Sequence, residues 1–126
     1  MTKVLLVEDD ASARRLLEFT MQQEGYEVCM AGDGKQALET AQAEQPDVIV
    51  MDVMMPVMGG FEATLRLKEI PTTSHIPILV LTAKGHPADR EYSLMAGADD
   101  YLAKPVEPQE IVEHIRKLIG QGARPH

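Results

Sequence analysis

Short apolar runs alternate with longer helix-period segments along this chain, and this alternation limits the folds open to it. The strand candidates are residues 4–7, 28–31, 48–51, 78–81 and 101–102. The first, third and fourth runs are continuously apolar, as expected of parallel strands covered by helices on both faces, whereas antiparallel strands would alternate apolar and polar residues. The sequence therefore predicts five strands in one parallel sheet.

Between these runs, apolar or small side chains recur at the three- and four-residue spacing of an α-helix. The predicted faces are Ala13, Leu16, Leu17 and Thr20; Ala37, Leu38 and Ala41; Phe61, Thr64 and Leu65; a weak stripe in residues 88–96; and Ile111, Ile115, Leu118 and Ile119 after Pro108. The fold class that follows is α/β, a doubly wound sheet with helices on both faces. In such sheets ligands bind beyond the carboxyl ends of the strands, where the strand order reverses.

The chain of 126 residues has room for one compact domain. We place that domain at residues 1–120, because the last helix pattern ends near Gly120 or Gly122. Residues 121–126 are then a C-terminal tail without periodicity.

The formal net charge of −8 and the absence of a basic run limit the classes of partner that this chain can bind. Such a field repels nucleic acid phosphates and anionic lipids, so we expect no direct nucleic-acid or membrane partner. Cys29 is the only cysteine, which excludes an internal disulfide and suits a reducing compartment. Neither a signal peptide nor a membrane-spanning run is recognisable, and a cytoplasmic location is predicted.

Acidic residues follow two of the apolar runs. Glu8, Asp9 and Asp10 come directly after the first, and Asp52 ends the third. Carboxylates gathered at one sheet edge repel one another, and a hard cation such as Mg²⁺, which prefers oxygen ligands, relieves that repulsion. The alternative is that Asp9 and Asp10 only cap the helix that starts near Ala11.

Two further polar residues occupy corresponding places in the chain. Thr82 ends the fourth run and Lys104 follows the fifth. A hydroxyl, an ammonium and a metal ion are what a transferred phosphoryl group needs around its oxygens, because its transfer depends mainly on positioning and charge neutralisation. Each residue alone is a weak signal, but together they indicate a phosphate pocket.

Four sequence blocks in this order give the chain a specific resemblance. They are residues 4–10 (VLLVEDD), 51–60 (MDVMMPVMGG), 81–83 (LTA) and 96–105 (AGADDYLAKP). The chain resembles, over about residues 3–120, the receiver domains of bacterial response regulators in two-component signalling, including the single-domain chemotaxis type. The resemblance implies a flavodoxin-like sheet with strand order 2-1-3-4-5.

The resemblance also implies roles for individual residues. Asp52 would be the phosphoacceptor, and Thr82 and Lys104 would bind the phosphoryl oxygens. The expected Mg²⁺ ligands are Asp9, Asp10, Asp52 and the backbone carbonyl of Met54. The bond between Lys104 and Pro105 is expected to be cis, and Thr82 with Tyr101 would form a conformational switch.

The function implied is that of a phosphoacceptor and switch. A phosphohistidine of a sensor histidine kinase or histidine phosphotransfer protein would supply the phosphoryl group, which slow autodephosphorylation would remove; the output is open. One alternative is a magnesium-dependent phosphohydrolase with an aspartyl-phosphate intermediate. Such enzymes place the nucleophile after the first strand and a second acid two residues on, whereas Asp9 is followed by Asp10 and Ala11. Another is a pseudo-receiver that binds partners without phosphorylation.

Overall fold

Five parallel strands form one sheet in the computed structural model, which describes residues 2–53, 58–82 and 88–122. The strands are β1 (Lys3–Val7), β2 (Glu27–Ala31), β3 (Val48–Asp52), β4 (Ile78–Thr82) and β5 (Asp100–Ala103). They lie in the order β2-β1-β3-β4-β5, and every neighbouring pair is parallel. The α/β fold and the strand order are confirmed, and each strand extends its predicted run by one or two residues.

Helices connect the strands and cover both faces of the sheet. They are α1 (Ala11–Gln23), α2 (Gly34–Glu44), α3 (Gly60–Glu69), α4 (Ala88–Ala96) and α5 (Pro108–Gly122). Asp10 and Asp33 begin α1 and α2 with side-chain caps, each accepting a backbone N–H three residues on. Because α5 continues to Gly122, it enters the predicted tail. The domain boundary at residue 120 stays a prediction, and residues 123–126 lie outside the described part.

The core lies in two layers, one on each face of the sheet. Leu5 and Val7 of β1 belong to the layer that α2 and α3 cover, whereas Val4 and Leu6 belong to the layer that α1 and α5 cover. Successive strand residues point to opposite faces, so β1 must be apolar at every position to bury both sides. The same requirement explains the unbroken apolar runs of β3 and β4, which are fully buried.

Two predicted helix faces are partly wrong. Leu16 is 55% exposed and Leu65 is 45% exposed, whereas Leu17, Met21 and Leu67 are buried. Adjacent helix residues point about 100° apart, so two neighbouring leucines cannot both face the centre of the same contact. Sequence periodicity alone did not decide which of them docks.

Helix α4 is attached to the core only by small buried side chains in the part whose side chains the structure describes. In its part from Glu91 to Ala96, the buried residues are Ser93 and Ala96, while Tyr92, Leu94 and Met95 are exposed. This agrees with the weak apolar stripe of residues 88–96, which predicted a less firmly packed helix.

Two glycines allow close backbone contacts next to the end of β3. A Cβ on Gly60 would lie 2.3 Å from the carbonyl oxygen of Asp52, and one on Gly34 would lie 2.4 Å from the carbonyl oxygen of Met58. The N–H of Gly34 donates to that Met58 oxygen at 3.1 Å. The start of α3 therefore packs tightly against the end of β3, and the start of α2 packs tightly against Met58.

We predict that Gly60→Ala destabilises the domain, because the new methyl group meets rigid backbone at Asp52. The free energy of unfolding should fall by about 1 to 3 kcal/mol, measured by urea denaturation followed by circular dichroism. The control is Gly120→Ala in α5, where an added Cβ meets nothing within 4 Å. There the helix propensity of alanine should raise stability, by up to about 1 kcal/mol. Equal stability of Gly60→Ala and the wild type would contradict the rigid contact.

Candidate functional site

The carboxyl ends of four adjacent strands bring the predicted site residues to one edge of the sheet. Glu8 and Asp9 follow β1, Asp52 ends β3, Thr82 ends β4 and Lys104 follows β5. The strands β1, β3, β4 and β5 are consecutive neighbours in the sheet. Residues far apart in sequence therefore share one pocket because the strands are parallel.

Three carboxylates form an acidic cluster at this edge. Glu8, Asp9 and Asp52 each offer an oxygen, and these oxygens lie within 4.8 Å of one another. Glu8 and Asp52 are only 3% and 2% exposed, whereas Asp9 is open to solvent. We call these three residues the acidic cluster.

The Asp10 side chain caps a helix in this structure, and its role as a metal ligand stays a prediction. Its carboxylate accepts a hydrogen bond from the Ala13 N–H at 2.8 Å and caps α1. This is the capping alternative weighed for Asp10 above. Glu8, which the expected ligand set left out, takes a place in the cluster, while the side chain of Asp10 is directed to the helix.

The positions of Asp10 and Glu8 in the sequence could have distinguished their contacts. Asp10 directly precedes the first residue of α1, the position where aspartate is a favoured cap. Glu8 directly follows the last residue of β1. The remaining predicted ligand, the carbonyl of Met54, lies outside the described residues.

Lys104 lies across the pocket from the acidic cluster. Its Nζ is 3.1 Å from Oδ1 of Asp52 and 4.0 Å from Oε1 of Glu8, and its side chain is 36% exposed. Its backbone N–H donates to the carbonyl oxygen of Thr82 at 2.9 Å, and the Lys104–Pro105 peptide bond is cis. The ammonium thus contacts buried carboxylates while one side of it faces solvent.

Thr82 and Tyr101 lie on the neighbouring strands β4 and β5. The buried Thr82 hydroxyl donates to the carbonyl oxygen of Leu102 at 3.4 Å. Tyr101 pairs in register with Val80, is half-buried and packs against the core layer under α2 and α3. The hydroxyl therefore starts from a bond to β5.

The electrostatics of the pocket favour a bound cation. Burial, together with the neighbouring Asp52 carboxylate, raises the pKa of Glu8 to about 7, against the opposing effects of the Asp10 N–H and Lys104. Two buried carboxylates side by side are costly to ionise together. An oxygen-only donor set with excess negative charge is the environment that Mg²⁺ prefers, so the acidic cluster fits this ion.

No helix within residues 2–53, 58–82 and 88–122 combines the length and the apolar character needed to cross a membrane.

The sequence matches one family profile over most of its length. The profile is that of the response regulator receiver domain, and it matches residues 4–116. The chain is 44% identical over 123 residues to the "Probable transcriptional regulator ycf27" of Cyanophora paradoxa, an alignment covering 98% of this chain and 50% of that protein. The chain spans about half the length of the curated relatives it matches.

Solved structures of the same fold match almost the whole domain. Chemotaxis protein CheY4 of Vibrio cholerae has a TM-score of 0.87 and 38% identity, over 94% of this chain and 98% of that one. The receiver domain of sensor histidine kinase PA1611 from Pseudomonas aeruginosa PAO1 has a TM-score of 0.87 and 36% identity, with the same coverage. That structure has a magnesium ion coordinated in its active site cleft.

We predict that Glu8→Gln stabilises the metal-free domain at high pH. The folded-state pKa of Glu8 lies above its usual value of 4.5, so its contribution to stability is complete below pH 4.5. That contribution is lost as the pH rises through about 7. Glutamine cannot ionise and escapes this loss. With a chelator present, we compare the free energies of unfolding of Glu8→Gln and the wild type by urea denaturation. The difference in favour of Glu8→Gln should grow by roughly 1 kcal/mol or more between pH 5 and pH 8.

Glu113→Gln is the control, because Glu113 is an exposed carboxylate on α5. It should show no comparable change over this pH range. A constant difference between Glu8→Gln and the wild type from pH 5 to pH 8 would contradict the assigned environment of Glu8.

Proposed function

Because the chain belongs to the response regulator receiver domain family of two-component signalling, we propose that Asp52 accepts a phosphoryl group from a phosphohistidine donor. The observation that carries this proposal is the position of the Asp52 carboxylate. It lies in the acidic cluster and 3.1 Å from the Lys104 ammonium. A nucleophile, a metal-binding donor set and a fixed cation share one pocket.

The transfer is a simple displacement at phosphorus. A bond forms between an Asp52 carboxylate oxygen and phosphorus, while the bond from phosphorus to the donor's imidazole nitrogen breaks and its electron pair returns to that nitrogen. Lys104 neutralises charge on the phosphoryl oxygens, and the Thr82 hydroxyl donates to one of them after leaving the Leu102 carbonyl. This chain supplies the groups that catalyse the transfer, and the phosphorylated chain is itself the product.

We propose Mg²⁺ as the cofactor, held by Asp9 and Asp52, with Glu8 completing the charged set in place of Asp10. The Met54 carbonyl remains part of the proposed ligand set. When bound, the ion supplies positive charge that lets an anionic phosphoryl group approach the carboxylates. The buried position of Glu8 and the solvent-open position of Asp9 support this division, since an ion must enter from the Asp9 side.

The donor we propose is a sensor histidine kinase or a histidine phosphotransfer protein, meeting this domain in the cytoplasm. The acyl phosphate then stores the signal until the domain's own slow hydrolysis removes it. The domain acts as a signalling switch for a partner or output domain, without direct contact with nucleic acid.

We propose that Thr82 and Tyr101 transmit the change. A Thr82 hydroxyl drawn toward a phosphoryl oxygen gives up its bond to Leu102 on β5, the strand that carries Tyr101. Phosphorylation would shift a pre-existing equilibrium only by interacting better with one of its two states.

We predict that Asp52 is the acceptor. Incubation with a small acyl-phosphate donor and Mg²⁺ should add the mass of one phosphoryl group to the intact wild type and none to Asp52→Asn, because the amide lacks a nucleophilic carboxylate oxygen. Asp47→Asn is the matched control, since Asp47 directly precedes β3 at the opposite edge of the sheet; it should be labelled like the wild type. Stoichiometric labelling of Asp52→Asn, or none of the wild type, would refute the proposal.

A second prediction separates the two candidate metal sets. In a MgCl₂ titration followed by amide chemical shifts, Asp9→Asn should weaken binding by roughly tenfold or more, because it removes a charged oxygen ligand. Asp10→Asn should bind within about twofold of the wild type, since asparagine caps a helix as well as aspartate does. Chelator should stop phosphorylation of the wild type. An equal loss in Asp10→Asn and Asp9→Asn would return Asp10 to the ligand set.

A further inference from the structure

The geometry points to Arg14 as a positioning residue for the acidic cluster. Arg14 is the fourth residue of α1, and its part-buried side chain turns back toward the end of β1. Its Nη1 donates to the carbonyl oxygen of Glu8 at 3.1 Å, and its backbone N–H donates to the carbonyl oxygen of Asp10 at 2.9 Å. The bond to Asp10 is the first backbone bond of α1, which any residue here would make, whereas the bond to Glu8 depends on the arginine side chain.

The other contacts of this segment leave Asp9 dependent on its neighbours. The Glu8 N–H donates to the Ala31 carbonyl at 3.1 Å, and the Asp10 N–H donates to Oε2 of Glu8 at 3.2 Å. Among the residues that the structure describes, none holds the Asp9 carboxylate by a hydrogen bond or an ion pair. The place of that ligand is therefore set by the backbone of Asp10, which the start of α1 fixes, and by the backbone of Glu8, to which the Arg14 side chain bonds.

The guanidinium reaches the end of β2 and lies close to Gly32. A Cβ on Gly32 would lie 3.8 Å from Nη1 of Arg14 and 3.4 Å from Oε1 of Gln36. Both distances are ordinary van der Waals contacts, so the guanidinium packs beside the residue that follows β2. A planar group bonded to a carbonyl and packed beside a neighbouring segment holds its position better than a flexible chain in solvent.

Arg14 acts on the backbone and not on the carboxylates. Among the described residues it forms no ion pair, so it does not occupy the lone pairs that a metal ion needs. We infer that it orients Asp9 and Glu8 for Mg²⁺, as residues behind a metal site commonly do for its ligands. This inference rests on the proposed function, because it requires the acidic cluster to bind Mg²⁺.

Whether the loss of Arg14 strengthens or weakens Mg²⁺ binding distinguishes a positioning role from a purely electrostatic one. Removing a cation near an acidic pocket makes that pocket more negative, which by Coulomb's law alone attracts Mg²⁺ more strongly. Losing the support of Asp9 and Glu8 has the opposite effect. The positioning role therefore predicts weaker binding from a substitution that increases the negative charge of the site.

The test is a MgCl₂ titration of the metal-free domain, without a phosphoryl donor, followed by the amide shifts of residues 8–10. Arg14→Met keeps the length of the side chain and should weaken the Mg²⁺ affinity by roughly tenfold, with Arg14→Lys between it and the wild type. The matched control is Arg15→Met, which removes the same charge from an exposed neighbour. It should bind like the wild type or slightly tighter. Urea denaturation identifies the variants that are folded at the titration temperature.

Each result decides the inference. Unchanged or tighter binding by folded Arg14→Met overturns it, as does an equal loss in Arg15→Met. If Arg14→Met does not fold, Arg14→Gln takes its place with the same expectation and the same overturning result. A wild type that does not bind Mg²⁺ overturns the metal part of the proposed function together with this inference, whereas a wild type that binds normally beside an unaffected Arg14→Met overturns the inference alone.

Discussion

The buried pair of carboxylates at the ends of β1 and β3 is the constraint on which the rest of this site depends. Glu8 and Asp52 lie side by side because adjacent parallel strands end at the same edge. Burial, and after it the neighbouring Asp52 carboxylate, makes ionisation of Glu8 costly in the metal-free state and raises its pKa. Lys104 offsets part of this cost from across the pocket. The site is thus prepared for additional positive charge before any anion arrives.

The fold was predictable because burial of the central strands requires a recognisable pattern of apolar residues in the sequence. β1, β3 and β4 are buried on both faces, so each of their positions had to be apolar, and such runs are hard to mistake. β5 was predicted as a shorter run than the strand observed, because an edge strand has fewer buried positions. The helix faces were less certain, since the choice between Leu16 and Leu17 depends on how α1 docks against α5 and the sheet.

The site residues were predictable to different degrees for a related reason. Asp52, Thr82 and Lys104 are each the single candidate at the end of their strand, so the sequence left no choice between neighbouring residues. Glu8, Asp9 and Asp10 are consecutive, and two of them join the acidic cluster while the third caps a helix. Only the helix start at Ala11 decides that Asp10 is the cap. The sequence had no comparable pattern for Arg14, whose role depends on the turn of its side chain back toward the carbonyl of Glu8.

The light attachment of α4 has a mechanical consequence for the domain. A helix that buries a leucine in a fitted cavity cannot move without leaving a void, and the cost grows with the volume of that void. In the part of α4 whose side chains are described, the buried residues are Ser93 and Ala96, which fill little space. A shift of the part from Glu91 to Ala96 therefore empties little volume in the core. The contact that such a shift would disturb is the one between the rings of Phe61 and Tyr92, whose centroids lie 5.7 Å apart.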